Sequence, residues 1–210
     1  MVIDAIIQAR MTSTRFPGKV LSRIRGVSIL HKICSMLYFD CNTKIRNIIV
    51  IAPNEEKSNE MRSSVEELGK FFIAGHSKTE DVLGRYYEAA TRFNSKHILR
   101  ITSDCPLING KLILKLVSVY KKSKGKVYCG LDVPNTVPDG MDAEIFPFWM
   151  LEESHKKATN PYDREHVTPY MKHKYFYKLV GTSIDFSSVK LSVDVPEDLR
   201  KVKDWIDYFS

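Results

Sequence analysis

The sequence lacks the features of membrane, secreted and disulfide-bonded proteins. No apolar run approaches the roughly 18 residues that a membrane-spanning helix needs. The N-terminus has no basic stretch before its apolar residues, so no secretory signal is predicted. The four cysteines form no C-x-x-C pair and no zinc-finger spacing. We therefore expect a cytoplasmic protein with reduced thiols.

Internal repeats, low-complexity segments and linkers are also absent. The 210 residues are predicted to form a single domain, 1–210, with a less regular substrate or dimer region at about 131–185. The formal net charge of +7 admits nucleic acid, a membrane surface or small phosphates as partners. The lysines are scattered, however, and no nucleic-acid-binding module is present. We predict neither a nucleic-acid partner nor a membrane partner.

The first 130 residues alternate apolar runs with helical patterns. Strands are predicted at 3–8, 47–52, 71–74, 97–102 and 126–129, with helices at 28–39, 56–68, 79–93 and 111–122. Ser28 and Thr79 are the predicted N-caps, and Gly69 the predicted C-cap. This rhythm predicts an α/β fold with a parallel sheet covered on both faces. Ligands bind such sheets beyond the carboxyl ends of the strands.

The rest of the chain is less regular. Strands are predicted at 141–146, 175–181 and 189–193, with helices at 147–155, 164–173 and 196–209.

The segment after the first predicted strand, residues 8–19, is rich in cations and hydroxyls. It holds Arg10, Arg15 and Lys19, with backbone N–H groups around a single glycine. A polyphosphate needs such donors and fixed positive charge. The segment is neither a Walker A loop nor a dinucleotide fingerprint, because their glycine spacing is missing. Composition alone leaves two interpretations open, a phosphate site and a solvated basic loop.

Two aspartates follow predicted strands, each two residues before a proline. They are Asp104 and Asp194. Taken singly, each is typical of a turn or a helix start. Together, at the same edge of a sheet, two carboxylates with phosphate oxygens and water make an octahedral Mg²⁺ site.

Two later segments carry further polar side chains. Asp139, Asp142 and Glu144 lie on a turn and the strand after it, which indicates either a polar hairpin turn or recognition of sugar hydroxyls. Arg164 and His166 lie on a predicted helix, where they are structural, meet an acidic or hydroxylated substrate, or face a partner subunit.

Six phrases of the sequence resemble the signatures of one family. They are IIQARMTSTRFPGKVL at 6–21, EDVLGRY at 80–86, SDCPLI at 103–108, PDGMDAEIF at 138–146, REHVTPY at 164–170 and VDVPEDL at 193–199. The chain resembles the cytidylyltransferases, which include CMP-KDO and CMP-sialic acid synthetases, and is most similar to their SpsF-like branch.

The resemblance implies a Rossmann-like three-layer sandwich with a mostly parallel sheet, as in nucleotide-diphospho-sugar transferases, and a homodimer. It implies that CMP passes from CTP to a sugar or sugar acid with release of pyrophosphate, for cell-surface or spore-coat polysaccharide. The implied nucleotide-binding residues are Ala9, Arg10, Arg15, Lys19, Arg85, Thr102 and Ser103. The implied metal ligands for Mg²⁺ are Asp104 and Asp194, which join Arg10 and Lys19 as the catalytic set. CMP-KDO synthetases carry Gln-Gly-Asp-Glu-Pro where this chain has residues 102–106, which leaves the sugar open.

Three other functions are compatible with parts of the sequence. A GT-A glycosyltransferase shares the sheet architecture but usually needs a D-x-D triplet, which is missing here. A nucleotidyltransferase that uses another nucleotide differs only in base recognition. A basic nucleic-acid-binding protein is disfavoured because carboxylates at strand ends repel a phosphate backbone.

Overall fold

A computed structural model describes residues 1–54, 58–74, 79–131 and 136–208. Within these ranges the chain forms one seven-stranded sheet and one two-stranded hairpin. The strands are β1 (Ile3–Gln8), β2 (Arg23–Ile24), β3 (Val27–Ser28), β4 (Asn47–Pro53), β5 (Lys70–Ala74), β6 (His97–Thr102), β7 (Tyr128–Gly130), β8 (Ala143–Pro147) and β9 (Tyr177–Leu179).

The large sheet has the order β5-β4-β1-β6-β8-β7-β9. Strands β5, β4, β1 and β6 are parallel, whereas β8 runs antiparallel to both β6 and β7. The predicted mostly parallel sheet is confirmed. Because β1 lies between β4 and β6, the segments that follow these three strands meet at one edge.

The helices of the described residues cover both faces of this sheet. They are α1 (Ile29–Asp40), α2 (Ser58–Ser63), α3 (Val82–Arg92), α4 (Gly110–Lys122), α5 (Phe148–Lys157), α6 (Pro161–His166), α7 (Pro169–Lys174) and α8 (Pro196–Tyr208). None of these helices has the length and apolarity needed to cross a bilayer.

The alternation of side chains along β1 divides the core into two layers. Ile3, Ala5 and Ile7 pack with α1 and α4, whereas Ile6 packs on the other face with α3 and α5. All four side chains are fully buried. The three-layer sandwich is therefore confirmed.

The start of α3 differs from the prediction. The helix begins at Val82 with Asp81 as N-cap, and the Asp81 carboxylate accepts a hydrogen bond from the Gly84 N–H at 2.9 Å. The prediction of Thr79 as N-cap was wrong, because the carboxylate nearer the helix takes the free N–H groups. Thr79 contributes its carbonyl instead, which accepts from Arg85 Nη1 at 2.6 Å.

The predicted helix at 56–68 is shorter where it is described. Helix α2 covers Ser58–Ser63 and passes into tight turns, while residues 56 and 57 lie outside the described residues. Gly69 follows those turns but lacks the left-handed backbone of a helix-ending glycine. A Cβ at Gly69 would lie 2.7 Å from the carbonyl oxygen of Ile48, so close packing of the backbone favours glycine there.

Two predictions in the last third of the chain were also wrong. The single helix at 164–173 is two helices, α6 and α7, because Val167 has a φ of 70° and Pro169 starts a new turn. The strand at 189–193 is absent from the described sheets, and only an isolated bridge joins Lys190 to Asp139. The strands predicted at 126–129, 141–146 and 175–181 are present with shifted ends.

The turn at 138–141 packs tightly against residues 189–192. The Leu191 N–H donates to the Asp139 carbonyl at 2.7 Å. Gly140 has a φ of 97°, and a Cβ there would lie 2.3 Å from the Ser192 nitrogen. The backbone N–H groups of Leu191 and Val193 thus donate to the carbonyls of Asp139 and Asp104 and not to a neighbouring strand.

Candidate active site

The basic segment after β1 folds into a closed loop. The Gly18 N–H donates to the Met11 carbonyl at 2.9 Å, and Gly18 adopts a left-handed φ of 70°. A short 3₁₀ turn, Lys19–Leu21, follows directly. The loop therefore delivers Lys19 to the edge of the sheet at a fixed position.

The Lys19 ammonium lies between the two predicted metal ligands, Asp104, which follows β6, and Asp194, which follows a segment without the predicted strand. Its Nζ is 3.3 Å from Asp104 Oδ2, 3.3 Å from Asp194 Oδ1 and 2.7 Å from the Val193 carbonyl oxygen. Arg15 adds a contact of 3.0 Å from Nη2 to Asp194 Oδ1. The basic loop and the two carboxylates thus converge on one point.

Neighbouring residues fix both carboxylates in place. The Val193 N–H donates to the Asp104 carbonyl at 2.8 Å, which ties the two segments together. The Asp198 carboxylate accepts from the Asp194 N–H at 2.9 Å and from Lys190 Nζ at 2.8 Å. Because Asp198 belongs to the first turn of α8, that helix anchors the position of Asp194.

The charge of Lys19 sets the ionisation of Asp104. Burial alone raises the pKa of Asp104, but the positive charge of Lys19 and a hydrogen bond from Thr102 outweigh burial and hold the pKa below its ordinary value. Asp104 is therefore an anion at neutral pH, as a metal ligand requires.

A cavity of about 280 Å³ opens beside these residues. Every residue that the resemblance assigns to nucleotide binding lines it, namely Ala9, Arg10, Arg15, Lys19, Arg85, Thr102 and Ser103. Asp104, Asp194 and His166 complete one side of this first cavity. A larger cleft of about 550 Å³ lies beside the β2–β3 hairpin and α2, and no predicted site residue lines it.

Comparisons with known proteins identify the family. A family model described as cytidylyltransferase matches residues 5–203. The chain belongs to the cytidylyltransferase family.

The relatives of this cytidylyltransferase span most of its length. It is 32% identical over 205 residues to an uncharacterized protein of Methanocaldococcus jannaschii, covering 95% of this chain and 81% of that protein. It is 25% identical over 208 residues to the spore coat polysaccharide biosynthesis protein SpsF of Bacillus subtilis, covering 94% and 83%. The solved structure of a cytidylyltransferase from Leptospira borgpetersenii superposes with a TM-score of 0.89 at 29% identity, covering 99% and 87%. These findings confirm the family resemblance and identify the chain as a nucleotidyltransferase.

A second cavity of about 310 Å³ adjoins the first in this cytidylyltransferase. Asp139, Asp142, Glu144 and His166 line it, and they are four of the five residues predicted from the sequence as candidates for substrate binding. The two cavities share Arg100, Thr102, Asp104, His166 and Asp194. The paired carboxylates therefore stand at the junction of two adjacent spaces.

Glu144 differs from the other acids of the second cavity because it is buried and its carboxylate contacts several polar side chains. It pairs with Arg100, accepts from Tyr128 Oη and Thr168 Oγ1 at 2.9 Å each, and lies 3.6 Å from Lys172 Nζ. Burial alone raises its pKa, but the charges of Arg100 and Lys172 outweigh burial and lower the pKa of Glu144. The Glu144 carboxylate therefore lines the second cavity as a buried anion.

Arg164 lies outside the linings of both cavities. Its guanidinium forms a two-point contact with Asp81, with Nε–Oδ1 2.9 Å and Nη2–Oδ2 2.6 Å, and it donates to the His155 carbonyl. Burial raises the pKa of Asp81, but the bonds from Arg164 outweigh burial and lower it. This ion pair joins α6 to the N-terminus of α3, so Arg164 connects two helices next to the site without lining either cavity.

Arg100 lines both cavities and was not predicted from the sequence. It is 9% exposed, and besides Glu144 its Nη2 donates to Gln8 Oε1 at 3.3 Å. Its Nε is buried without a hydrogen-bond acceptor among the described residues. The available signal was an arginine in the otherwise apolar strand β6.

The donor set at the junction fits a hard divalent cation. No group of three or more His, Cys, Asp or Glu side chains clusters in a metal-like arrangement among the described residues. Asp104 and Asp194 nevertheless suit Mg²⁺, because protein Mg²⁺ sites commonly use one or two carboxylates and take their other ligands from phosphates and water.

Proposed function

We propose that this cytidylyltransferase transfers CMP from CTP to a hydroxyl of a sugar or sugar acid and releases pyrophosphate, with Mg²⁺ bound by Asp104 and Asp194. The observation that carries the proposal is the convergence of the basic loop and both carboxylates on Lys19, at the junction of two cavities.

The first cavity suits CTP. Arg10, Arg15 and Lys19 offer three positive charges to a triphosphate, and Arg10 has no carboxylate partner among the described residues. Arg85, which is 2% exposed, lines the same cavity, and we assign it to the ribose or the base. Guanidinium groups can fork onto phosphate oxygens, while a lysine acts as a mobile point charge.

The second cavity suits a hydroxyl-rich acceptor. Asp139 is exposed and accepts from Ser192 Oγ at 3.1 Å, so a lone pair of its carboxylate is open to a ligand. Asp142 lines the same space. Carboxylates accept hydrogen bonds from sugar hydroxyls, and vicinal hydroxyls can share them.

The reaction is an in-line displacement at the junction. The acceptor hydroxyl oxygen attacks the α-phosphorus from the second cavity and loses its proton to water, while the bond to the pyrophosphate oxygen breaks on the opposite side. Arg10, Arg15 and Lys19 stabilise the charge that develops on pyrophosphate, and positioning supplies much of the remaining acceleration. When bound, Mg²⁺ neutralises phosphate charge and acidifies the attacking hydroxyl.

Pyrophosphate release tests the assignment. The purified protein is incubated with Mg²⁺, each of the four ribonucleoside triphosphates and a panel of sugars, amino sugars, sugar acids and polyols. We expect release with CTP and at least one panel member. Pyrophosphate release with a different triphosphate and not with CTP would show that the enzyme uses that nucleotide instead.

Single substitutions test whether the proposed residues take part in catalysis. Asp104→Asn keeps the side-chain shape but removes a metal ligand, so turnover should be lost. Lys19→Ala should lower kcat by roughly a hundredfold, as loss of a charge-stabilising donor typically does. Asp207→Asn is the matched control, since Asp207 is 67% exposed and pairs with Arg25 on the surface. Full activity of Asp104→Asn would exclude the metal assignment.

The pathway and assembly belong to the same proposal. The likeness to SpsF supports a role in cell-surface or spore-coat polysaccharide synthesis. The homodimer implied by the family stays a prediction, which light scattering after gel filtration tests. A GT-A glycosyltransferase would instead consume a nucleotide-sugar and release no pyrophosphate from CTP.

A further inference from the structure

The Lys19 ammonium occupies the space where the two carboxylates meet. Three oxygens surround it within 3.3 Å, from Asp104, Asp194 and the Val193 carbonyl. Only 13% of the Lys19 side chain is exposed. Oxygens of this kind are what a hard cation takes as ligands, so the ammonium stands in for one.

The neighbouring cations do not share this position. Of the two aspartates, Arg15 and Lys190 contact only Asp194, at 3.0 Å and 3.4 Å, and neither forms an ion pair with Asp104 in the described residues. Lys190 also pairs with Asp198. Lys19 is the described cation that bridges both acids. A divalent ion bound by both carboxylates would therefore lie against the Lys19 ammonium, and like charges at such a distance repel strongly in a partly buried site.

The Lys19 side chain can move away from the two carboxylates and into the first cavity. Its side chain also lines the first cavity, where Arg10 and Arg15 stand beside it. Lysine has a flexible four-carbon stem and a compact charge. A triphosphate in that cavity offers anionic oxygens that can replace the two carboxylates as partners of the ammonium.

We propose that Lys19 closes the Asp104–Asp194 pair to divalent metal until a nucleoside triphosphate draws its ammonium away. This inference rests on the proposed function and adds an order of events to it. The empty enzyme binds metal weakly, the triphosphate binds through the basic loop, and the metal site then opens. Lys19 thus serves two partners in succession, the carboxylates first and the phosphates second.

Metal binding without nucleotide is the decisive measurement. Binding of Mn²⁺ to the nucleotide-free protein is followed by electron paramagnetic resonance of free Mn²⁺ and by calorimetry. We expect Lys19→Met to bind Mn²⁺ at least about tenfold more tightly than wild type, because the competing charge is gone. The same variant should bind CTP more weakly than wild type in EDTA.

Two further proteins serve as controls. Lys115→Met removes an exposed lysine whose Nζ donates to the Gly181 carbonyl, and its Mn²⁺ affinity should match wild type. The double variant Lys19→Met with Asp104→Asn should lose the gained affinity, which places the ion at the carboxylates. Thermal unfolding verifies that each variant is folded, and Mn²⁺ should raise the midpoint of Lys19→Met more than that of wild type.

The outcomes separate the inference from the proposed function. Equal Mn²⁺ affinity in wild type and Lys19→Met would overturn the role of Lys19 while CTP turnover stands. A Mn²⁺ ion bound by both carboxylates, with Lys19 still in contact with them, would also overturn it. Failure of the wild type to bind CTP in either the presence or the absence of metal would overturn the proposed function itself.

Discussion

The buried Arg100–Glu144 pair allows a test of how much one ion pair contributes to the stability of the fold. The change is Glu144→Gln, which keeps the shape and the acceptor for Tyr128 and Thr168 but removes the charge. Glu144 is 4% exposed and Arg100 9% exposed, so the arginine would remain buried without its counter-ion. Breaking a buried pair in this way costs about 3–5 kcal/mol. We expect the lower end, about 3 kcal/mol, because Gln still accepts two of the hydrogen bonds.

Urea unfolding at pH 7 measures this loss. With a slope of roughly 2–3 kcal/mol per molar urea, the midpoint should fall by about 1–1.5 M. The control is Glu152→Gln, whose exposed partner Lys156 is one helical turn away at 3.0 Å and which should change stability by about 0.5 kcal/mol or less. Adding Arg100→Met to Glu144→Gln should restore part of the loss, since no uncompensated charge is left.

The pH dependence of stability has a definite sign. The folded pKa of Glu144 lies below its ordinary value of 4.5, so its stabilisation is present above pH 4.5 and is lost as the pH falls through the folded pKa. Glu144→Gln should therefore lose less stability than wild type on acidification. A midpoint within 0.2 M of wild type at pH 7 would refute the reasoning that the pair supports the sheet, at roughly 0.5 kcal/mol for the slope given above.

Three further outcomes are expected. Gly140→Ala should cost at least ~1–2 kcal/mol in urea unfolding from its left-handed backbone alone, and more from the Cβ that would lie 2.3 Å from the Ser192 nitrogen; a stability equal to wild type would contradict the tight packing of that turn. Asp198→Asn should lower stability by about 1 kcal/mol and should also lower turnover, because it weakens the hydrogen bond from the Asp194 N–H to the side chain of residue 198. Unchanged kcat would show that Asp194 does not need this hydrogen bond. All four cysteines are buried, and burial raises the pKa of each thiol, so a thiol reagent at pH 8 should react quickly only after unfolding.

Local sequence signals predicted much of the fold. Strands β1, β4 and β6 were recognisable because each is a nearly continuous apolar run buried on both faces. Ser28 was recognisable as a cap, and its side chain accepts from the His31 N–H at 3.2 Å. The break at Val167 was not, because a valine with positive φ is imposed by the packing around it and not by its own preference.

The site was predictable where it depended on strand ends. Lys19 and Asp104 lie close together because the parallel strands β1 and β6 present their carboxyl ends at one edge of the sheet. Asp194 follows no strand in the described sheets and reaches this edge through the hydrogen bond from the Val193 N–H to the Asp104 carbonyl. The pairing of Arg100 with Glu144 was beyond the sequence, since it depends on β8 entering the sheet antiparallel to β6 with these two residues in register. No short-range pattern encodes that register.

The hydrogen bond from the Val193 N–H to the Asp104 carbonyl has a consequence for biosynthesis. Asp104 and its partner acid Asp194 lie 90 positions apart in the sequence. A nascent chain can complete the central strands on the ribosome but has nothing to set opposite Asp104 until residue 194 emerges. The two carboxylates can therefore come together only after the central strands around Asp104 have been synthesised.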